Sequence, residues 1–145
     1  MNDDRYQHGL ETMMQYQADD GAAPGHVALQ ESLAEIAPDV ARYVVEFAFG
    51  DIYARPGLTK HEQAIATIAS LTALGTEPQI RLHVNTGLNV GLSFQKVVAT
   101  IVHLLPYIGF PRVLNALEVA KSVARERGID LASAQGGDAD ATPQS

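Results

Sequence analysis

Thr59-Lys60-His61-Glu62-Gln63-Ala64-Ile65-Ala66-Thr67-Ile68-Ala69-Ser70-Leu71-Thr72-Ala73-Leu74-Gly75 carries a start signal, a periodic run and a stop signal in one stretch. Its first four residues have the spacing of a capping box, in which the Thr hydroxyl and the Glu carboxylate satisfy the free amides of a helix start. Ile65, Ile68, Leu71 and Leu74 then recur at helical spacing, small residues fill the remaining faces, and Gly75 is placed to cap the C-terminus. Charge is absent from Gln63 to Thr76, so this helix is expected to be buried nearly all round.

The same grammar continues on both sides. Thr76-Glu77-Pro78-Gln79 repeats the start signal and predicts a helix from Glu77 to Asn89, stopping near Gly91. Ser93 caps a further helix carrying Val97, Val98, Ile101, Val102, Leu104 and Leu105, and Pro106 predicts a kink near Tyr107. A last helix opens at Pro111 and runs to Arg125 and Arg127, whose charges suit a helix C-terminus before Gly128. Upstream, helices are predicted over Asp4 to Gln17, Val27 to Ile36 and Pro38 to Tyr53, with a break at Asp19-Asp20-Gly21-Ala22-Ala23-Pro24-Gly25. Sustained apolar/polar alternation is missing throughout, so the class is all-α, with about six to seven helices. One domain is expected over residues 1–130. Residues 131–145, rich in Ala, Gly, Asp and Gln and without apolar periodicity, are expected to form a disordered tail.

At 145 residues and 46% hydrophobic content, the chain can build one real core. It has no cysteine, which removes disulfides, thiolate metal sites and thiol nucleophiles. Seventeen acidic against ten basic residues give a net charge of −7, which disfavours nucleic acid and anionic membranes as partners. The apolar stretches Gln63 to Thr76 and Val97 to Phe110 fall short of the roughly 20 residues that span a bilayer. The start, Met1-Asn2-Asp3-Asp4, lacks the pattern of a secretory signal, and a cytoplasmic protein is expected.

Five histidines are the main candidates for chemistry. His8 and His26 lie in polar surroundings and read as surface residues. His61, in the first turn of a helix where a cation is unfavoured, is expected to point to solvent. Taken by themselves, His83 and His103 read as core histidines, and Glu62 as the reciprocal member of its capping box. No metal-ligand or cofactor motif is present.

Four segments change the weight of these residues: Phe49 to Thr59, Ala66 to Gly75, Arg81 to Ser93, and Tyr107-Ile108-Gly109-Phe110-Pro111. Together, and in this order, they resemble the carboxymuconolactone decarboxylase family over roughly Phe47 to Arg127, and Arg5-Tyr6 and Gly9-Leu10-Glu11 resemble its amino-terminal helix. The resemblance implies a compact multi-helix domain of the alkyl hydroperoxidase D-like type, a homo-oligomer (trimer or hexamer), and a place in the catabolism of aromatic compounds. The family's Glu near the start of the buried helix and His on the next one fall on Glu62 and His83. Hydroperoxidase relatives carry a Cys-x-x-Cys pair in the region of Thr76 to Gln79, so a thiol peroxidase is excluded here. A second departure is Phe94-Gln95-Lys96, where many members carry more charge.

The function implied is a carboxy-lyase without cofactor or metal, acting on a small carboxylated lactone or a related oxidised carboxylic acid. In such a butenolide the ring is its own electron sink, and the protein must hold an anion, stabilise charge on the carbonyl oxygen and deliver a proton. His83 suits the proton roles, with Glu62 orienting it or sharing the proton. An anionic substrate calls for a cation. Arg81 is two residues from His83 and faces another side of its helix, which leaves Arg55. His103 and Tyr107 are candidates for the pocket wall. Two alternatives stay open: a family member recruited to isomerisation, cyclisation or dehydration, and a non-catalytic ligand-binding or assembly protein.

Overall fold

Local signals set most element boundaries in the computed structural model, which describes residues 3–20 and 25–135. The elements are α1 (Asp3–Met14), α2 (Gly25–Leu33), α3 (Pro38–Tyr43) running on as a π-helix (Val44–Tyr53), α4 (Lys60–Leu74), α5 (Glu77–Asn89), α6 (Phe94–His103), α7 (Leu105–Ile108) and α8 (Phe110–Glu126), then a 3₁₀ turn (Ser133–Gln135). No strand occurs among the described residues, and the class is all-α. Most of the expected tail, from residue 136 on, lies outside the described residues. None of the described helices is long and apolar enough to cross a membrane.

The caps form as the spacing requires. The Thr59 amide donates to Glu62 Oε2 at 2.7 Å, and the Glu62 amide donates to Thr59 Oγ1 at 3.2 Å. At the far end of α4 the Gly75 amide reaches the Thr72 carbonyl at 3.1 Å, and a φ of 74° at Gly75 turns the chain so that the Thr76 amide reaches the Leu71 carbonyl at 3.4 Å. Ser93 caps α6 by accepting from the Lys96 amide at 3.2 Å. Pro106 acts earlier than expected: α6 ends at His103, Leu104 is the joint, and the proline sits in the first turn of α7, where its missing donor costs nothing.

The chain divides into two compact units. The first comprises the described residues up to Ala64 together with Thr86–Gly91; the second comprises Ile65–Asn85 and the described residues from Leu92 on. In the first unit α1 packs along the π-helix. Gly9 permits this approach, since a Cβ there would lie 2.7 Å from the Val45 carbonyl carbon. Glu46, buried on the π-helix, is held by Arg42 Nε at 2.7 Å and faces Arg5 of α1 at 3.6 Å, and Arg5 also pairs with Asp51. The π-helix replaces the continuous α-helix expected over Pro38 to Tyr53.

In the second unit α6 packs on α8. Phe94, Val97 and Ile101 line the buried side of α6, and Val113, Ala116, Ala120, Val123 and Ala124 that of α8. Arg81 of α5 reaches Glu126 at 2.8 Å and Ser122 at 2.9 Å, joining α5 to α8. The helix expected to be buried nearly all round is buried on one side only: Ala64, Ile68 and Thr72 are buried, whereas Ala66, Ser70, Ala73 and Leu74 are exposed. Absence of charge marked a face open to solvent in the single chain as readily as one inside it.

Candidate active site

Glu62 is fixed by the capping box, and its carboxylate is exposed. The Thr59 amide, and then the Thr59 hydroxyl, hold it below the usual carboxylate range, so it is ionised at neutral pH. Arg55, in the loop before α4, is exposed as well. His61 does not simply face solvent: its Nε2 lies 2.9 Å from the Val90 carbonyl oxygen, which ties the first turn of α4 to the segment that follows α5.

His83, Arg81, His103 and Tyr107 belong to the second unit. His83 is half-buried on α5, and burial pushes its imidazole below the ordinary value, which leaves the ring neutral near pH 7. Arg81 is engaged by Glu126 and Ser122, so its guanidinium acts as a clamp between helices. His103 departs from the core reading. It lies off the buried stripe of α6 and is exposed, with its ring 5.8 Å from that of Tyr107, itself 73% exposed. Of the candidate residues the structure thus joins His103 with Tyr107. Among the described residues no group of three His, Asp or Glu side chains is disposed to hold a metal ion.

A cleft of about 290 Å³ opens in the first unit, and sequence reasoning did not foresee it. Its polar lining is His8, Thr12, Gln15, Lys60 and Gln63; its apolar surface comes from Tyr16, Tyr53, Ala54 and Leu58. The Tyr16 hydroxyl donates to Gln63 Oε1, and Gln63 Nε2 donates to the Tyr53 carbonyl at 3.0 Å. Tyr16 meets Tyr53 edge to face at 5.0 Å, and Phe49 stacks on Tyr53 at 4.8 Å. The only hints in the sequence were Tyr16 and Tyr53, two large polar-tipped rings placed near helix ends.

Residues 38–122 match the Carboxymuconolactone decarboxylase family. The chain is 33% identical over 131 residues to a 4-carboxymuconolactone decarboxylase of Acinetobacter baylyi, covering 89% of this chain and 94% of that protein. It is 30% identical over 97 residues to an uncharacterized 15.0 kDa protein of Paracoccus denitrificans, covering 66% of this chain and 72% of the relative. A nitrosuccinic acid decarboxylase of Metarhizium robertsii is 22% identical over 83 residues, 57% of this chain and 58% of that enzyme. The family match includes the capping box with Glu62, the α5 segment with His83 and the α6–α8 region, and by this agreement of order, extent and helical class the chain belongs to the carboxymuconolactone decarboxylase family.

Proposed function

We propose that the protein is a carboxy-lyase that removes carbon dioxide from a small carboxylated lactone or a related oxidised carboxylic acid, using its own side chains for the proton transfer. The observation that carries this reading is the similarity, over nearly the whole chain, to a 4-carboxymuconolactone decarboxylase. In such a substrate the bond from the ring carbon to the carboxylate breaks, and its electron pair moves through the ring double bond to the lactone carbonyl oxygen. A proton then adds to the ring carbon beside that carbonyl, and carbon dioxide leaves.

His83 is assigned the proton. Its lowered pKa makes the protonated ring a stronger acid than a solvated imidazolium, which favours transfer to carbon once a proton has been taken from solvent. Glu62, ionised, is assigned to orient that ring or share its proton. Arg55 is assigned to the substrate carboxylate. His103 and Tyr107 are assigned to the pocket wall, and their exposure in a single chain supports that role within a homo-oligomer, where a second copy covers them.

The test is to mix the purified protein with carboxymuconolactone and to follow both the loss of the conjugated lactone and the release of carbon dioxide. Stoichiometric release is the expected result. Lactone loss without carbon dioxide would replace the decarboxylase reading with a proton-transfer reaction, and tight binding without turnover would replace it with a binding protein.

A further inference from the structure

None of the residues assigned above lines the cleft of the first unit. We propose that this cleft binds a small planar monocarboxylate, with the Lys60 ammonium pairing its charge and the Tyr16–Tyr53 pair receiving its ring. This goes beyond the decarboxylase reading and holds whether or not carbon dioxide is lost.

Volume and charge select the ligand. At about 290 Å³ the cleft lies at the bottom of the range of roughly 300–1,000 Å³ found for small-molecule sites, which suits a single ring and excludes a nucleotide. No Asp or Glu lines it. Asp51, which also feels His8, is already paired with Arg5. In a chain of net charge −7, the cleft is therefore a locally cationic place.

Among the described residues Lys60 is held by no carboxylate. Its Nζ sits 5.6 Å over the Tyr16 ring. It also occupies the first turn of α4, where the helix dipole disfavours a cation. Thr12 is a second group without an internal use: it is 6% exposed, lines the cleft, and its hydroxyl donates to no described residue.

Hydrogen bonds and ring contacts hold the two tyrosines together. Gln63 spends both ends of its amide on Tyr16 and on the Tyr53 carbonyl, and Asn89 Nδ2 donates to the Tyr16 carbonyl at 3.2 Å. Tyr16 is 6% exposed, with Lys60 over its face, so it offers the cleft an edge, and half-buried Tyr53 supplies the rest of the aromatic lining; such a preorganised surface favours a flat, unsaturated ligand over a flexible aliphatic acid.

The experiment titrates benzoate, and separately its uncharged analogue benzamide, into the full-length protein at low salt. Calorimetry gives the affinity, and the loss of any emission change in Tyr16→Phe and Tyr53→Phe assigns the tyrosine signal, free of tryptophan background, to these two of the five tyrosines. Benzoate is expected to bind with a Kd of about 1 mM or tighter, and benzamide at least about tenfold more weakly. Lys60→Met should weaken benzoate by about tenfold or more, whereas Lys60→Arg, which keeps the charge, and Lys96→Met, the same charge change on α6, should stay within about threefold of wild type. Three results would each overturn the proposal: no benzoate signal at about 10 mM, equal affinity for benzoate and benzamide, or unchanged affinity in Lys60→Met. Carbon dioxide release is scored separately, so a failed decarboxylase assay leaves this outcome readable.

Discussion

His83 links burial to pH. In the unfolded chain its ring takes a proton near the ordinary 6.5, while burial sets the folded value lower. Between those two values the unfolded state binds more protons, so stability is lost as pH falls from about 6.5 through the folded value and is unaffected above it. His83→Gln should flatten that part of the urea-midpoint profile between about pH 7.5 and pH 5, and an unaltered profile would assign the titration to another group. Turnover in the same variant should fall by about 10²–10⁴-fold if the ring carries the proton. Glu62→Gln separates cap from chemistry, because the amide can still accept from the Thr59 amide. A melting temperature within a few degrees of wild type, together with a large loss of turnover, is the expected pair of results; full activity would make Glu62 structural. The capping box was legible because it is local: three residues of spacing decide it. His103 was not, because apolar sequence neighbours do not say which side of α6 is covered, and the buried stripe Phe94, Val97, Ile101 passes it by. The cleft was hidden for a related reason, since Tyr16 and Gln63 meet across 47 positions of chain.

Among the elements, α4 and α5 were legible from their caps, and the π-helix was not. Hydrophobic spacing is read against the default period of 3.6, and the rare i→i+5 pattern has no residue signature of its own, so the sequence reads Val44–Tyr53 as ordinary α-helix. The structure shows what accompanies the widened turn: α1 lies against it through Gly9, with Gly50 nearby, and a Cβ on Gly9 would overlap the Val45 carbonyl. That carbonyl belongs to backbone and has little freedom to move aside. Gly9→Ala is therefore expected to destabilise the protein by about 1–3 kcal/mol, although alanine is the better helix former at an open site. Chemical denaturation would show it, and a neutral or stabilising effect would mean that the two helices separate easily. Pro106 illustrates the opposite case. Its effect was legible in kind but misplaced in position, because the ring is accommodated by starting a new turn at Leu105 instead of bending the old one.

At the scale of the whole molecule, one chain leaves large apolar side chains bare. Val40, Tyr43 and Phe47 follow one another at helical spacing along α3 and the π-helix, and all three are exposed, Phe47 by 57%. In the second unit Tyr107 of α7 and Phe110 and Leu114 of α8 are exposed as well. Composition could show only that charge was scarce on these helices; whether a bare face meets another helix of the same chain or another chain is not written in spacing. Burying a side chain of this size contributes about 1.5–3 kcal/mol, so several of them repeated by symmetry suffice to hold an assembly together. We expect a homo-oligomer, trimer or hexamer, at micromolar concentration. Placing a charge in the middle of each face tests which of them is used. Phe47→Glu and Phe110→Glu leave the single chain little changed, because both positions are already exposed in it. In an assembly the same carboxylate would be buried without a partner, at a cost of several kcal/mol for each copy. Light scattering should then report a smaller species for whichever variant interrupts a contact, with helical content preserved. A wild-type protein that scatters as a monomer would leave His103 and Tyr107 open to solvent and remove them from the pocket wall.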